Sequence, residues 1–111
     1  MKYLVAVALF VTTPAFAAAL SPTEASKHIG ETATVEGTAS VYVSKGGTTF
    51  IDLGGKGMSA PFTGVIFKDH ASVLPNAPSY DGHTVDISGT IKEYRGRPEI
   101  IISERSQVSL K

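Results

Sequence analysis

Seven aromatic and basic side chains lie in or beside the turns that interrupt this sequence. They are Tyr42, Lys45, Phe50, Lys56, Tyr94, Arg95 and Arg97. Aromatic rings stack on the faces of planar groups such as nucleic-acid bases. Arginine and lysine side chains bind phosphate and carboxylate oxygens. The combination predicts a binding surface for an anionic polymer.

The sequence offers no arrangement for catalysis. It contains no Gly-x-Ser-x-Gly elbow, no Walker loop and no motif of paired carboxylates. In Asp81-Gly82-His83-Thr84, histidine stands where a metal-dependent nuclease motif of this form needs a second carboxylate. The glycine-rich stretch 54–57 precedes no capped helix, which favours a mobile hairpin loop over a phosphate cradle. We therefore predict that the protein is not an enzyme.

Metal ligands and cofactor motifs are equally sparse. His28, His70 and His83 are far apart in the sequence, and the chain has no cysteine. Metal sites usually combine clustered histidines, cysteines or carboxylates. We expect no metal and no cofactor. The fold must be held by a hydrophobic core, without disulfides.

A β-hairpin over residues 83–102 positions three of the seven side chains at its tip. Residues 83–93 alternate apolar and polar types, which puts Val85, Ile87 and Ile91 on one face of a half-buried strand. Gly89 occupies a core position, where glycine usually marks a bend or a bulge. Residues 94–97 form the turn and residues 99–102 the return strand.

Three strands precede this hairpin. The first covers residues 31–44, is too long to stay flat in a small domain, and carries Gly37 where it can bend. The second covers residues 48–53 and the third residues 61–67. Alternation in the second strand puts Phe50 and Asp52 outside, although the reverse parity, which buries Phe50, is also compatible with the sequence.

Shorter elements complete the chain. A helix begins with a capping box formed by Ser21 and Glu24 and ends near Gly30. The connection over residues 68–80 contains two prolines and is expected to hold at most one helical turn. Residues 103–111 form a polar tail whose apolar positions add a last short pairing.

The order of these elements is that of an OB-fold, with three strands, a connection and two strands. A wider resemblance rests on two segments and on the hairpin. The segments are Val35-Glu36-Gly37-Thr38 and Thr49-Phe50-Ile51-Asp52-Leu53, and the hairpin positions are Gly82, Val85, Ile87, Gly89 and Ile91. The chain resembles the single-stranded nucleic-acid-binding OB family, including its anticodon-binding-like members, and especially small exported bacterial OB-fold proteins. The resemblance implies an all-β, five-stranded Greek-key barrel. It also implies binding through the loop between the first and second strands and the loop at the tip of the hairpin.

Residues 1–17 have the pattern of a secretory signal peptide. Lys2 precedes a short apolar run, and Ala15-Phe16-Ala17 is a small-x-small cleavage pattern. We expect cleavage after Ala17 and a single OB-fold domain over residues 18–111. The mature protein would be periplasmic or secreted, with no membrane anchor. The alternative is an uncleaved anchor.

Charge limits the function classes further. Without Lys2 the chain has nine basic and ten acidic residues, so the basic field typical of a nucleic-acid-binding domain is absent. Binding must come from a local patch. Two hypotheses remain: a module that binds single-stranded nucleic acid or an anionic oligosaccharide, and an envelope-stress module that contacts another protein. Under the second hypothesis the barrel edge and loops contact the partner protein. For the hairpin tip itself the alternative to ligand binding is structural: Tyr94 packs over the barrel end, while Arg95 and Arg97 pair with Glu93 and Glu99.

Overall fold

The computed structural model describes residues 18–111, so the expected signal peptide lies outside the described residues. Residues 18–111 contain six strands: β1 (Thr32–Val43), β2 (Thr49–Leu53), β3 (Phe62–Ile66), β4 (Thr84–Tyr94), β5 (Arg97–Ile101) and β6 (Val108–Leu110). The helices in this part of the chain are all of the 3-10 type and cover Pro22–His28, Gly57–Ser59, Lys68–Val73, Ala77–Tyr80 and Arg105–Gln107. Among residues 18–111 there is no helix long and apolar enough to cross a membrane.

Five of the strands close into a barrel, in the order β1-β2-β3-β5-β4 and back to β1. All pairings are antiparallel except that of β3 with β5. The two long strands each change partner along their length. β1 pairs with β4 up to Thr38 and with β2 from Ala39, while β4 leaves β1 after Thr90 and joins β5 at Ile91. This is the predicted OB-fold.

The core fills the barrel with the inward side chains of all five strands. The fully buried set includes Val35, Ile51, Leu53, Phe62, Val85, Ile87, Ile91 and Ile100. Burying one side chain of this size contributes about 1.5–3 kcal/mol. Ala25 of the first helix and Tyr80 of the last helix before β4 join the same core.

The predicted glycine positions coincide with the places where the barrel turns. Gly37 and Gly89 each lie within two residues of a partner change. Gly37 also makes room for the first helix, because an added Cβ would lie 2.8 Å from the Cγ of Pro22. That helix begins as predicted, with the Ser21 N–H donating to Glu24 Oε1 at 2.9 Å.

One local prediction is wrong. Residues 68–80 contain two 3-10 helices, Lys68–Val73 and Ala77–Tyr80, instead of at most one helical turn. Pro75 lies between them and Pro78 lies in the first turn of the second helix, where no intrahelical N–H is needed. The tail pairing is confirmed, since β6 extends the sheet beside β4.

Two carboxylates face each other on the polar outer surface of the barrel. Asp86 of β4 lies opposite Glu36 of β1, and Lys111 Nζ lies 3.7 Å from Glu36 Oε1. Partial burial raises the pKa of Asp86, and the hydrogen bond and charge of Glu36 raise it further against the charge of Lys111. The folded protein therefore holds this proton more tightly than the unfolded chain does.

We expect the substitution Asp86→Asn to stabilise the protein more at pH 7 than at pH 4. Because the pKa of Asp86 is higher in the folded protein than in the unfolded chain, its protonation stabilises the folded protein at pH values below the unfolded pKa of about 4. This stabilisation is lost as the pH rises through the folded-state pKa. The free energy of unfolding gained at pH 7 should exceed that gained at pH 4 by at most about 1 kcal/mol, which is the upper end of the range for cross-strand side-chain pairs. Urea unfolding of both proteins at the two pH values measures it. Glu93→Gln, which removes an exposed carboxylate from the same strand, is the control. A stability difference that does not change with pH would contradict the prediction.

Candidate ligand-binding face

The two outer surfaces of the barrel differ in chemistry. Where β1 pairs with β4, the outward residues are mostly threonine and serine, as in the Thr34–Ser88 pair, whose hydroxyl oxygens lie 2.7 Å apart. Where β1 pairs with β2, one row of aligned residues crosses four strands and comprises Tyr42, Phe50, Val65 and Ile101, of which Val65 is buried and Tyr42 is exposed. The aromatic end of this row is the part of the molecule suited to a ligand.

Tyr42 and Phe50 form a stacked pair at the end of this row. They are direct cross-strand partners, with ring centroids 6.1 Å apart and ring planes inclined by 21°. Tyr42 is 60% exposed and Phe50 is half-buried. This settles the two parities that the sequence left open: Phe50 points outward, while Ile51 and Leu53 are buried inside.

A groove of about 570 Å³ lies against this pair. Its lining combines aromatic, apolar, basic and hydroxyl groups: Ser40, Val41, Tyr42, Phe50, Asp52, Lys56, Gly57, Met58 and Arg97. Four of the seven predicted side chains therefore meet in one place, namely Tyr42, Phe50, Lys56 and Arg97. The arrangement can hold a planar ring against the aromatic pair, with cations beside it for attached anionic groups.

The β2–β3 loop, residues 54–61, forms one wall of the groove and is held from two sides. The Gly57 N–H donates to Asp52 Oδ2 at 2.8 Å. Arg97 Nη1 donates to the carbonyl oxygens of Gly57 at 2.6 Å and Ala60 at 3.4 Å. Arg97 thus joins the hairpin to the loop, a role that the sequence did not reveal. Its remaining guanidinium N–H groups can still face a ligand.

The hairpin tip lies beside the groove rather than in it. Arg95 and Gly96 have φ values of 53° and 79°, as required by a two-residue turn of the type common in hairpins. Arg95 places its guanidinium carbon 5.3 Å from the centroid of the Tyr94 ring. Both residues line a second cavity of about 530 Å³, which shares Met58 and Arg97 with the groove. The two cavities are therefore adjacent.

Lys45 is the predicted residue that the structure does not bring to either cavity. It is exposed in the β1–β2 loop and lines neither of them. The prediction assigned it by loop position alone. The length of β1 carries this loop beyond the end of the groove.

The alternative in which the hairpin tip is held by packing and ion pairs does not match the geometry. Tyr94 is 58% exposed. Within residues 18–111, the ion pairs join His28 to Glu31 and Lys111 to Glu36, and neither Arg95 nor Arg97 takes part in one. Partial burial raises the pKa of Glu99, against the opposing charges of Arg97 and Lys92.

Sequence reasoning missed two residues of the groove. The alternation of β2 predicts only that Asp52 lies on the outer face, yet Asp52 is 4% exposed, lines the groove and anchors its wall. Met58 was part of an unassigned loop, yet it is 93% exposed and borders both cavities. The signal for Asp52 was its position two residues after Phe50 on the same face of β2.

The three histidines do not come together with other ligands. In the described part of the chain, no group of three or more histidine, cysteine, aspartate or glutamate residues is placed to hold a metal ion. His28 instead lies beside Glu31, with Nδ1 2.9 Å from Oε1.

Comparison with known proteins shows similarity of fold. No family model matches the sequence, and no curated protein matches it. Among solved structures, it is similar to a chain assigned as an aspartyl-tRNA synthetase from Leishmania major Friedlin, with a TM-score of 0.57 and 11% identity over 98% of this chain and 23% of that chain. An aspartyl-tRNA synthetase from Entamoeba histolytica gives a TM-score of 0.49 and 16% identity over 76% of this chain and 19% of that one. This chain therefore spans less than a quarter of the length of either synthetase.

Proposed function

We propose that this protein is a binding module for single-stranded nucleic acid. The observation that carries the proposal is the stacked Tyr42–Phe50 pair at the groove, with Lys56 and Arg97 in the same lining. Stacking on such a pair tolerates any base, and contributes about 1–3 kcal/mol per base. The fold similarity to aspartyl-tRNA synthetases, enzymes named for an RNA substrate, supports the same class.

The shape of the site favours a polymer over a single nucleotide. The groove lies next to the cavity at the hairpin tip, and Met58 and Arg97 line both. A strand that occupies both cavities would stack at Tyr42 and Phe50 and again at Tyr94, with Arg95 placed for a phosphate. A free mononucleotide would fill only the groove beside Tyr42 and Phe50.

Fluorescence anisotropy of residues 18–111 with a labelled dT12 oligonucleotide tests the proposal. Three cationic contacts, from Lys56, Arg95 and Arg97, predict that log K falls against log salt with a slope of roughly −2. Competition by unlabelled dT12, and none by a sulfated oligosaccharide at equal charge, is the expected result. Stronger competition by the oligosaccharide would assign the site to glycans. Absence of oligonucleotide binding, with capture of an envelope protein instead, would favour a protein-interaction module.

The substitution Arg95→Ala is expected to weaken oligonucleotide binding and reduce the slope against salt by about 0.7. Within residues 18–111 Arg95 takes part in no ion pair, and its contact with the exposed Tyr94 ring contributes about 0.5–1 kcal/mol, so its loss should change the free energy of unfolding by no more than about 1 kcal/mol. Arg105→Ala is the matched control, because Arg105 is exposed and lines neither cavity. Equal salt slopes for wild type and Arg95→Ala would exclude the hairpin tip from the site.

Export belongs to the same proposal. The pattern in residues 1–17 supports cleavage after Ala17 and release of residues 18–111 into the periplasm or the medium. Intact-mass measurement of the protein from fractionated cells tests it. A chain that retains Met1 and stays in the cytoplasm would exclude export.

A further inference from the structure

Asp52 has a carboxylate oxygen without a partner. Its side chain is 4% exposed, and Oδ2 accepts the Gly57 N–H at 2.8 Å. Oδ1 is buried and has no hydrogen-bond partner within residues 18–111. A buried carboxylate oxygen left unsatisfied is costly, so such a group calls for an explanation. Anchoring the loop explains one oxygen and leaves the other unexplained.

The position of Asp52 suggests a partner for Oδ1. Asp52 lies two residues after Phe50 on the outer face of β2, about 6.6 Å along the strand. Both residues line the groove, together with Ser40, the cross-strand neighbour of Asp52. A base stacked on Tyr42 or Phe50 would therefore extend one edge towards Asp52.

We infer that Asp52 determines base specificity, by accepting hydrogen bonds from the Watson–Crick edge of guanine. The inference rests on the proposed function. An ionised carboxylate only accepts hydrogen bonds, so it favours an edge made of donors. Guanine presents the adjacent donors N1–H and N2–H₂. Thymine and uracil present one N–H between two carbonyl oxygens, while cytosine and adenine place a ring acceptor beside their amino group.

The loop contact makes Asp52→Asn a sharp test. The Gly57 N–H needs an acceptor, so the amide oxygen of the asparagine would turn towards Gly57 and its NH₂ would face the groove. The group that meets the base changes from acceptor to donor with almost no change in shape. Preference for guanine should disappear, while affinity for thymidine should rise because a negative charge is removed.

The experiment compares d(GT)4, d(CT)4 and dT8 by anisotropy at one salt concentration. Wild type should bind d(GT)4 about tenfold more tightly than dT8, since a matched base contact contributes about 1–3 kcal/mol. Asp52→Asn should reduce this ratio to about one or below. Glu99→Gln is the control, because Glu99 is aligned with Asp52 through Thr63 of β3 but does not line the groove, so this variant should leave the ratio unchanged.

Several results would overturn the inference. Equal binding of the three oligonucleotides by wild type, or an unchanged ratio in Asp52→Asn, would restrict Asp52 to anchoring the loop. If Asp52→Asn does not fold, displacement of labelled dT8 from the wild-type protein by GMP and by TMP provides the test. GMP should compete more strongly than TMP, and equal competition would contradict the inference. Failure of every oligonucleotide to bind would instead remove the proposed function itself, and the inference with it.

Discussion

Replacing Gly89 by alanine should lower the free energy of unfolding by about 2–6 kcal/mol, the sum of backbone strain and overpacking. Gly89 has a φ of +151°, which side-chain-bearing residues rarely adopt. An added Cβ would lie 2.7 Å from Ile100 Cγ2 and 3.0 Å from Gln107 Nε2. Neither neighbour can move cheaply. Ile100 is fully buried, and Gln107 Nε2 donates to the carbonyl oxygens of Ser88 and Ile101.

Urea denaturation with two control variants measures this effect. Gly82→Ala introduces strain alone, because Gly82 has a φ of +83° and no atom would lie within 4 Å of the new Cβ. Gly46→Ala introduces neither, since its nearest contact would be 3.9 Å away. The expected order of stability is Gly46→Ala, then Gly82→Ala, then Gly89→Ala. A Gly89→Ala protein as stable as Gly82→Ala would show that the barrel absorbs the extra methyl group without cost.

The second large effect is expected on binding. Tyr42→Ala combined with Phe50→Ala should weaken single-stranded DNA binding by about 1–3 kcal/mol for each base that stacks there, or roughly 5- to 150-fold for one base. The slope of affinity against salt should stay the same, because stacking releases no counterions. Anisotropy titrations at three salt concentrations separate the two contributions.

Two further variants test whether stacking is the cause. Tyr42→Phe keeps the ring and should keep most of the affinity. Phe67→Ala removes a ring that is 46% exposed but lines neither cavity, and should leave binding unchanged. If the double variant binds as wild type does while remaining folded, the aromatic pair is not the base platform.

The sequence was sufficient where local pattern decides the structure. Alternation placed Val85, Ile87 and Ile91 inside, and all three are fully buried. The element order gave the OB-fold because strands joined by short turns tend to pair with each other. Between residues 68 and 80, proline excludes long α-helices but permits 3-10 helices, which is why this connection contains more than one helical turn.

The site was only partly predictable, because its geometry depends on contacts between distant residues. Arg97 bonds to Gly57, 40 residues earlier in the chain. The burial of Asp52 follows from the way the β2–β3 loop folds back over β2, which no local pattern encodes. Phe50 could be placed outside only after the register of β1 with β2 was known.

The closing pair of the barrel also decides when this chain can fold. Residues 32–38 of β1 pair with residues 84–90 of β4, so one half of β1 lacks its main partner until most of the chain is present. A nascent segment that ends before residue 84 exposes the apolar faces of β1, β2 and β3 together with an unpaired strand edge. Folding dominated by such non-local pairings takes milliseconds to seconds, and an open edge favours aggregation during that time. The native barrel therefore forms late in synthesis, and the yield of folded protein depends on preventing the incomplete chain from pairing with strands of other molecules.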